Sequence, residues 1–237
     1  MKTAEGNGYG YRLIWGVLLG VGVMGWTEAG FSRANPGHAR EASLRMIVRL
    51  HDYAGVKRDT LGRAEKETAR LFREAGIEMT WVDCPLTQAE LAQYPACLHP
   101  PDAPRLDMNI LPRFMATQLS QPDTTLGFTS LTREGVRASA ASVFLDRIKE
   151  EVERTHGSLI GILGDAMAHE LGHLLLRTSG HTSSGIMRAR WTAEDLRRAA
   201  RGQLLFTPEQ ADLMRSEVRA RAQEQAAVEL ASDAASK

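Results

Sequence analysis

The segment 158–178 constrains the fold most, because its apolar side chains recur at the three- and four-residue spacing of a helix. The apolar positions are Leu159, Ile162, Leu163, Ala166, Met167, Leu171, Leu174 and Leu175. This pattern predicts one long helix, and the second half of that helix carries His169, Glu170 and His173 within the sequence HELGH. Any fold of this chain therefore has to pack a long apolar helix and also accommodate these polar side chains on it.

The residues before this helix show strand and helix patterns in turn. Residues 44–51 alternate between apolar and polar side chains, as in a half-buried strand, and 59–76 has helical spacing that ends at Gly76. An irregular loop with five prolines is predicted at 85–104. Further strands are predicted at 77–84, 105–113, 125–131 and 141–148, and a last helix near Pro208 with Thr207 as its cap. This order predicts an α+β domain with one mixed, mainly N-terminal sheet.

The first residues of the chain have the pattern of an export signal. Lys2 and Arg12 precede an uncharged run of 14 residues at 13–26. The run is shorter than the roughly 20 residues that a membrane-spanning helix needs, and it is typical of a signal peptide. We therefore predict a signal peptide or a signal anchor at 1–29.

The rest of the chain divides into three predicted parts. Residues 30–43 are polar and turn-rich, which predicts a linker or a short pro-segment, and the main domain is predicted over 44–225. Residues 226–237 are rich in Ala and Glu, and we predict that this tail frays or is disordered. The protein is expected to be secreted or in the cell envelope, either released or anchored in the membrane through 13–26.

The HELGH sequence has the spacing of a metal site. His169 and His173 are four residues apart, so that both imidazoles project from the same helix face, one turn apart. Two nitrogens can then approach one zinc ion (Zn2+), while Glu170 is angled away from the pair, where it can contact a water at the metal. The alternative is a helix end that is rich in histidine and binds nothing.

Two histidines alone make a weak zinc site, so a third ligand has to come from elsewhere in the chain. The first candidate is His181, which follows Gly180, where the chain can leave the helix and turn back. The rival candidate is Glu194, 21 residues after His173, and Asp195 beside it is weaker.

The stretch HELGHLLLRTSGHTSSGIM resembles the metzincin metallopeptidases, most closely the matrixin-like group, and is similar to stretches in uncharacterised bacterial proteins. The resemblance implies a zincin-like fold, with a backing helix behind the sheet and a long active-site helix. It also implies a function for five residues: His169, His173 and His181 as zinc ligands, Glu170 as general base, and Met187 in a turn beneath the metal.

Two departures from the metzincin pattern affect the third ligand. The glycine expected after the second histidine is absent, because Leu174, Leu175 and Leu176 stand there, and His181 comes eight rather than six residues after His173. Two extra helical residues would move the chain by about 3 Å and rotate it by about 200°. His181 can therefore reach the metal only if the residues RTSG (177–180) form a longer turn.

The two cysteines, Cys84 and Cys97, are predicted to form a disulfide, since an exported chain meets an oxidising compartment. Two alternatives are free thiols and a thiolate that reaches the metal and holds the enzyme inactive.

The resemblance and the predicted export signal together imply an exported zinc metalloendopeptidase with a protein or peptide substrate. Lys plus Arg equals Asp plus Glu at 29 each, which argues against a nucleic-acid partner, because phosphate binding needs a basic excess. Within such a site, the strand 141–148 is expected to line the cleft and bind substrate along its edge, while Arg188 and Arg190 are either oxyanion donors or a solvated turn. The alternatives are a non-catalytic zincin-fold binding or structural module at the cell envelope, and a membrane-anchored protein whose histidines only pack. The sequence makes no prediction of the oligomeric state.

Overall fold

The computed structural model describes residues 44–98, 103–129 and 139–235. The predicted signal segment 1–29 and the linker 30–43 lie outside the described residues. The strands are β1 (Leu44–Asp52), β2 (Ile77–Asp83), β3 (Arg105–Leu111), β4 (Gly127–Thr129) and β5 (Ala140–Phe144). The helices are α1 (Arg58–Glu74), α2 (Gln88–Leu91), α3 (Pro95–Leu98), α4 (Arg113–Gln118), α5 (Leu145–Thr155), α6 (Leu159–Leu176), α7 (Ala193–Ala200) and α8 (Pro208–Ala235).

The five strands form one mixed sheet, as the sequence predicts. Their order is β2-β1-β3-β5-β4. Strands β2, β1, β3 and β5 are parallel, and β4 pairs antiparallel with β5. On β1, Met46, Val48 and Leu50 are buried in the same core as the apolar side chains of α1 and α6. The sheet and these two helices therefore share one hydrophobic core, and α6 lies within it.

Helix α6 can approach α1 closely because a glycine stands at the contact. An ideal Cβ on Gly164 would lie 2.9 Å from the carbonyl oxygen of Ala64, and the Thr68 hydroxyl donates to the Gly164 carbonyl over 2.9 Å. The block 162–175 of α6 is buried throughout. Although α6 is long and apolar enough to cross a membrane, its burial is that of the core helix of a globular domain.

The prediction of a strand over 141–148 is wrong in its second half. Strand β5 ends at Phe144, and α5 begins at once with Leu145 and Ile148 buried at helical spacing. The prediction that this strand binds substrate along its edge is also wrong, because β5 lies between β3 and β4. A short run of apolar residues fits a buried strand and a buried helix turn equally well, so the pattern could not locate this boundary.

The predicted disulfide is confirmed, and the alternatives with free thiols are wrong. Cys84 and Cys97 are bonded, with their Cα atoms 5.8 Å apart. The loop between them contains the short helices α2 and α3, so it is less irregular than predicted. The Arg49 guanidinium donates to the Cys97 carbonyl over 2.8 Å and also pairs with Asp107, which ties the disulfide loop to β1 and β3.

The last helix begins where the sequence predicts, and it continues further. Thr207 and Gln210 cap its first turn. The backbone N–H of Gln210 donates to the Thr207 hydroxyl, and the backbone N–H of Thr207 donates to the side-chain oxygen of Gln210. The helix extends to Ala235, over residues that we predicted to fray, although Val228 and Leu230 on it are exposed. Ala and Glu favour helix intrinsically, which suits a segment whose large apolar side chains Val228 and Leu230 are exposed.

Asp165 is a residue of α6 whose side-chain carboxyl group is buried in the folded protein. Its side chain is 1% exposed, and its Oδ2 atom has no hydrogen-bond partner among the described residues. Burial, together with the negative charge of Glu67, raises the pKa of Asp165 to about 8, against the opposing effect of Arg70. The protonated form is therefore the one that suits the folded protein.

Replacing Asp165 with Asn is expected to stabilise the metal-free protein, and more so at high pH. Between the ordinary pKa near 4 and the folded value near 8, folding of the parent takes up a proton, which costs about 1.4 kcal/mol for each pH unit. The contribution of Asp165 to the parent's stability should thus be most favourable below pH 4, decline up to pH 8 and level off above it. Urea unfolding at pH 5 and pH 8 measures the effect, with the exposed Asp59→Asn as control, and an equal gain at both pH values would contradict it.

Candidate metal centre

Three histidines meet at the C-terminal half of α6. His169 and His173 project from the same face of the helix, and His181 comes from the turn that follows it. The ring centroids are 4.8 Å apart for His169 and His173, 5.3 Å for His169 and His181, and 4.9 Å for His173 and His181. One nitrogen from each ring lies within 4.8 Å of the other two, which is a spacing that could hold one metal ion.

Backbone carbonyls orient two of the rings. The Nδ1 atom of His169 is 2.8 Å from the Ile186 carbonyl oxygen, and that of His173 is 2.7 Å from the Thr178 carbonyl oxygen. A carbonyl can only accept, so each Nδ1 carries the hydrogen and each Nε2 has a lone pair. The two Nε2 atoms face each other over 3.1 Å. Two lone pairs that face each other can both donate to one cation, and imidazole nitrogens are ligands that zinc takes.

Burial keeps these imidazoles neutral. It lowers the pKa of His169 to about 4, against the opposing effect of the bond to Ile186, and it also lowers the pKa of His173. A metal ligand has to be unprotonated, so both rings are ready to bind at neutral pH. His181 is exposed, which leaves the centre open to solvent on the side of the turn.

The turn after α6 accommodates the two residues that lengthen the histidine spacing. The helix ends at Leu176, Arg177 adopts the left-handed conformation at φ 53°, and the Thr178 N–H donates to the His173 carbonyl. The chain therefore leaves the helix at Arg177. We had expected the exit at Gly180. Gly180 donates its N–H to the Thr178 hydroxyl over 2.9 Å, which closes the loop that brings His181 back.

A second tight turn packs under α6 between its two histidines. Gly185 adopts φ 75°, and Ile186 and Met187 after it are buried. An ideal Cβ on Gly172 would lie 2.7 Å from Met187 Sδ, so the methionine occupies the space that this glycine leaves free. The turn thereby supplies the Ile186 carbonyl, which orients His169, and the Met187 side chain, which packs against α6 at Gly172.

The Glu170 side chain lies against β4. It is 6% exposed, and burial raises its pKa to about 7, while a hydrogen bond from Thr129 opposes the shift. The Thr129 hydroxyl lies 3.0 Å from Glu170 Oε2. Thr129 did not stand out in the sequence, because nothing in a strand pattern indicates which distant helix its hydroxyl will meet.

The other proposed site residues lie apart from this group. Glu194 is on α7, where it pairs with Arg197 and Arg201. Asp195 caps α7 through Thr192 and is 3.1 Å from an Arg188 nitrogen. Neither acid is in the histidine group, and Arg188 pairs with the residue that caps α7. Arg190 is exposed.

Comparisons with known proteins leave the family of the chain open. No protein-family model matches it, and no curated protein sequence is significantly similar to it. Among solved structures, it is similar to the archaemetzincin of Methanopyrus kandleri, with 12% identity over 75% of this chain and 98% of that chain, and a TM-score of 0.44. A likeness at this level does not assign a family or an activity.

Proposed function

We propose that this chain is a zinc-dependent peptidase of the metzincin type, matrixin-like in its site, in which His169, His173 and His181 hold the zinc ion. The observation that carries the proposal is the convergence of the three imidazoles, whose ligand atoms lie within 4.8 Å of one another. Three protein ligands that leave a fourth position open are the arrangement of a catalytic rather than a structural zinc site.

When bound, zinc acts as a Lewis acid toward a water molecule and a peptide carbonyl. Glu170 is the general base that takes a proton from the water and delivers it to the amine that leaves. A pKa raised to about 7 by burial suits both transfers, because the group can accept and release a proton near neutral pH. The carbonyl groups of Ile186 and Thr178 hold the two helical imidazoles in one tautomer.

The sheet edge beside Glu170 favours an extended peptide as substrate. Among the described strands, β4 pairs only with β5, and its residue Thr129 contacts Glu170. An extended peptide can add to such an edge through backbone hydrogen bonds. In the proposed function, β4 takes the role that we predicted for the strand at 141–148.

The proposal includes export of the protein. The disulfide between Cys84 and Cys97 supports it, because such bonds persist in oxidising compartments such as the periplasm and the extracellular space. The uncharged run at 13–26 would then direct export, either as a cleaved signal peptide or as an anchor in the cell envelope.

The test is metal removal and reconstitution. The purified full chain is expected to bind zinc in a one-to-one ratio and to cleave members of a peptide library. A chelator should abolish cleavage, and one equivalent of zinc should restore it. Stoichiometric zinc without cleavage of any peptide would contradict the peptidase and favour a non-catalytic zincin-fold module, and failure to bind zinc would contradict the metal centre itself.

Replacing Trp191 with Phe is expected to weaken zinc binding by about 10-fold. The Trp191 indole N–H donates over 3.0 Å to the Ile186 carbonyl, the same group that orients His169. Loss of a group that orients a ligand typically costs 10- to 100-fold in metal affinity. Because the Trp191 indole N–H bonds to the orienting carbonyl and not to His169 itself, we expect the lower end of this range. Competition with a chromophoric chelator measures the affinity. Trp81→Phe is the matched control, since its indole bonds to Glu65 on α1, and equal affinities in both variants would refute the role of Trp191.

A further inference from the structure

Strand β4 contacts the Glu170 side chain at two alternate residues, Gly127 and Thr129, which face the same side of the sheet. An ideal Cβ on Gly127 would lie 2.7 Å from Glu170 Cγ and 2.9 Å from its Oε1 atom. The Thr129 hydroxyl is 3.0 Å from Oε2 and 2.9 Å from the Glu170 carbonyl oxygen. Glu170 therefore lies in the space left by a missing side chain and ends at a hydroxyl group.

We infer that Thr129 is a positioning residue, whose hydroxyl holds the side-chain carboxyl of Glu170, the residue that follows His169, in one orientation. The inference rests on the proposed function, since it assigns the cause of the orientation that a general base needs. A Glu side chain has three rotatable bonds, and a base has to lie within hydrogen-bond reach of the proton that it takes. Gly127 gives the carboxyl its room, and Thr129 fixes its direction.

A hydroxyl suits this task because it both donates and accepts. When Glu170 is ionised, the Thr129 hydroxyl donates to Oε2. When Glu170 carries the proton, its own O–H can donate to Thr129 Oγ1, and the hydroxyl hydrogen turns to the Glu170 carbonyl oxygen, which is 2.9 Å away. The two groups thus remain hydrogen-bonded in both states, and the carboxyl keeps its orientation through a proton transfer.

The hydroxyl is not required for the strand itself. Strand β4 is held to β5 by backbone pairing, in which Thr129 is opposite Ala141. Valine has the shape of threonine without its hydroxyl and is equally suited to a strand. Removal of the hydroxyl can therefore be separated from disruption of the sheet.

The test uses the zinc-loaded full chain with Thr129 replaced by Val, Ala or Ser. The control is Thr117→Val on α4, where the hydroxyl donates to the Arg113 carbonyl. For Val and Ala, kcat is expected to fall roughly 10- to 100-fold, a part of the 10²- to 10⁴-fold that a positioned base contributes. KM and the zinc content should not change, and Ser should restore kcat to within about threefold. The variant with Ala serves if the one with Val does not fold.

A second measurement does not depend on activity. In the metal-free protein, the carboxyl ¹³C resonance of Glu170, assigned with Glu170→Gln, should shift in the Val and Ala variants and match the parent in the Ser variant. An unchanged resonance in the Val and Ala variants, an unchanged kcat, or a Ser variant as slow as the Ala variant would overturn the inference. If the parent cleaves no peptide, the proposed function fails on that result alone, whereas the resonance still decides whether Thr129 holds the carboxyl.

Discussion

Replacing His181 with Ala is expected to lower the zinc affinity of the protein by at least about 100-fold. Changes in groups that only orient a ligand already cost 10- to 100-fold, so loss of a ligand itself should exceed that range. His181 is exposed and lies on a turn, and its ring contacts those of His169 and His173 at 5.3 and 4.9 Å between centroids. Its removal should therefore leave α6 and the core intact.

Zinc content after dialysis and the far-ultraviolet circular dichroism of each variant measure this effect. His169→Ala should lose zinc as well, while Glu194→Gln is the matched control and should retain it, because Glu194 pairs with arginines of α7 and its following turn. Zinc retained by His181→Ala and lost by Glu194→Gln would transfer the third ligand to the glutamate and refute the three-histidine centre.

Replacing Glu170 with Gln is expected to lower kcat by roughly 10²- to 10⁴-fold, because the amide cannot accept the proton that a general base takes. The zinc content should stay at that of the parent, since the Glu170 carboxyl bonds to Thr129 and Glu170 is not one of the three grouped ligands. Gln has the shape of Glu, and its amide can still bond to the Thr129 hydroxyl, so folding should not suffer.

The rate of hydrolysis of the best library peptide at saturating concentration gives kcat, and metal analysis gives the zinc content of each variant. Glu194→Gln again serves as the control with normal kcat. A Glu170→Gln protein that binds zinc and cleaves as fast as the parent would show that another group takes the proton.

Patterns that repeat along a single element were predictable from the sequence. The alternation at 44–51 gives β1 at Leu44–Asp52, and the apolar spacing at 158–178 gives α6 at Leu159–Leu176. Both patterns were readable because packing against the core constrains many residues of one element at once. The disulfide was also predictable from the sequence, since the sequence contains only Cys84 and Cys97.

Features that depend on a few residues or on partners far along the chain were not predictable. Helix α5 follows β5 without a break, so that no turn residue marks the boundary at Leu145. Thr129 meets Glu170 across 41 positions of sequence, and nothing local to either residue indicates the contact. The rivalry between His181 and Glu194 for a place beside the helical histidines could not be decided from spacing, because it depends on where the helix ends.

The sequence by itself determined that two imidazoles share one face of a buried helix, because a spacing of four residues fixes their direction on any α-helix. Only the tertiary structure decided which third side chain joins them. The left-handed residue Arg177 ends α6 early enough for a loop of a few residues to return His181, while the cap of α7 and its arginines engage Asp195 and Glu194 elsewhere. The physical reason is that helical periodicity is a local property of the backbone, whereas the path of a turn is set by the hydrogen bonds and packing that the folded chain offers it.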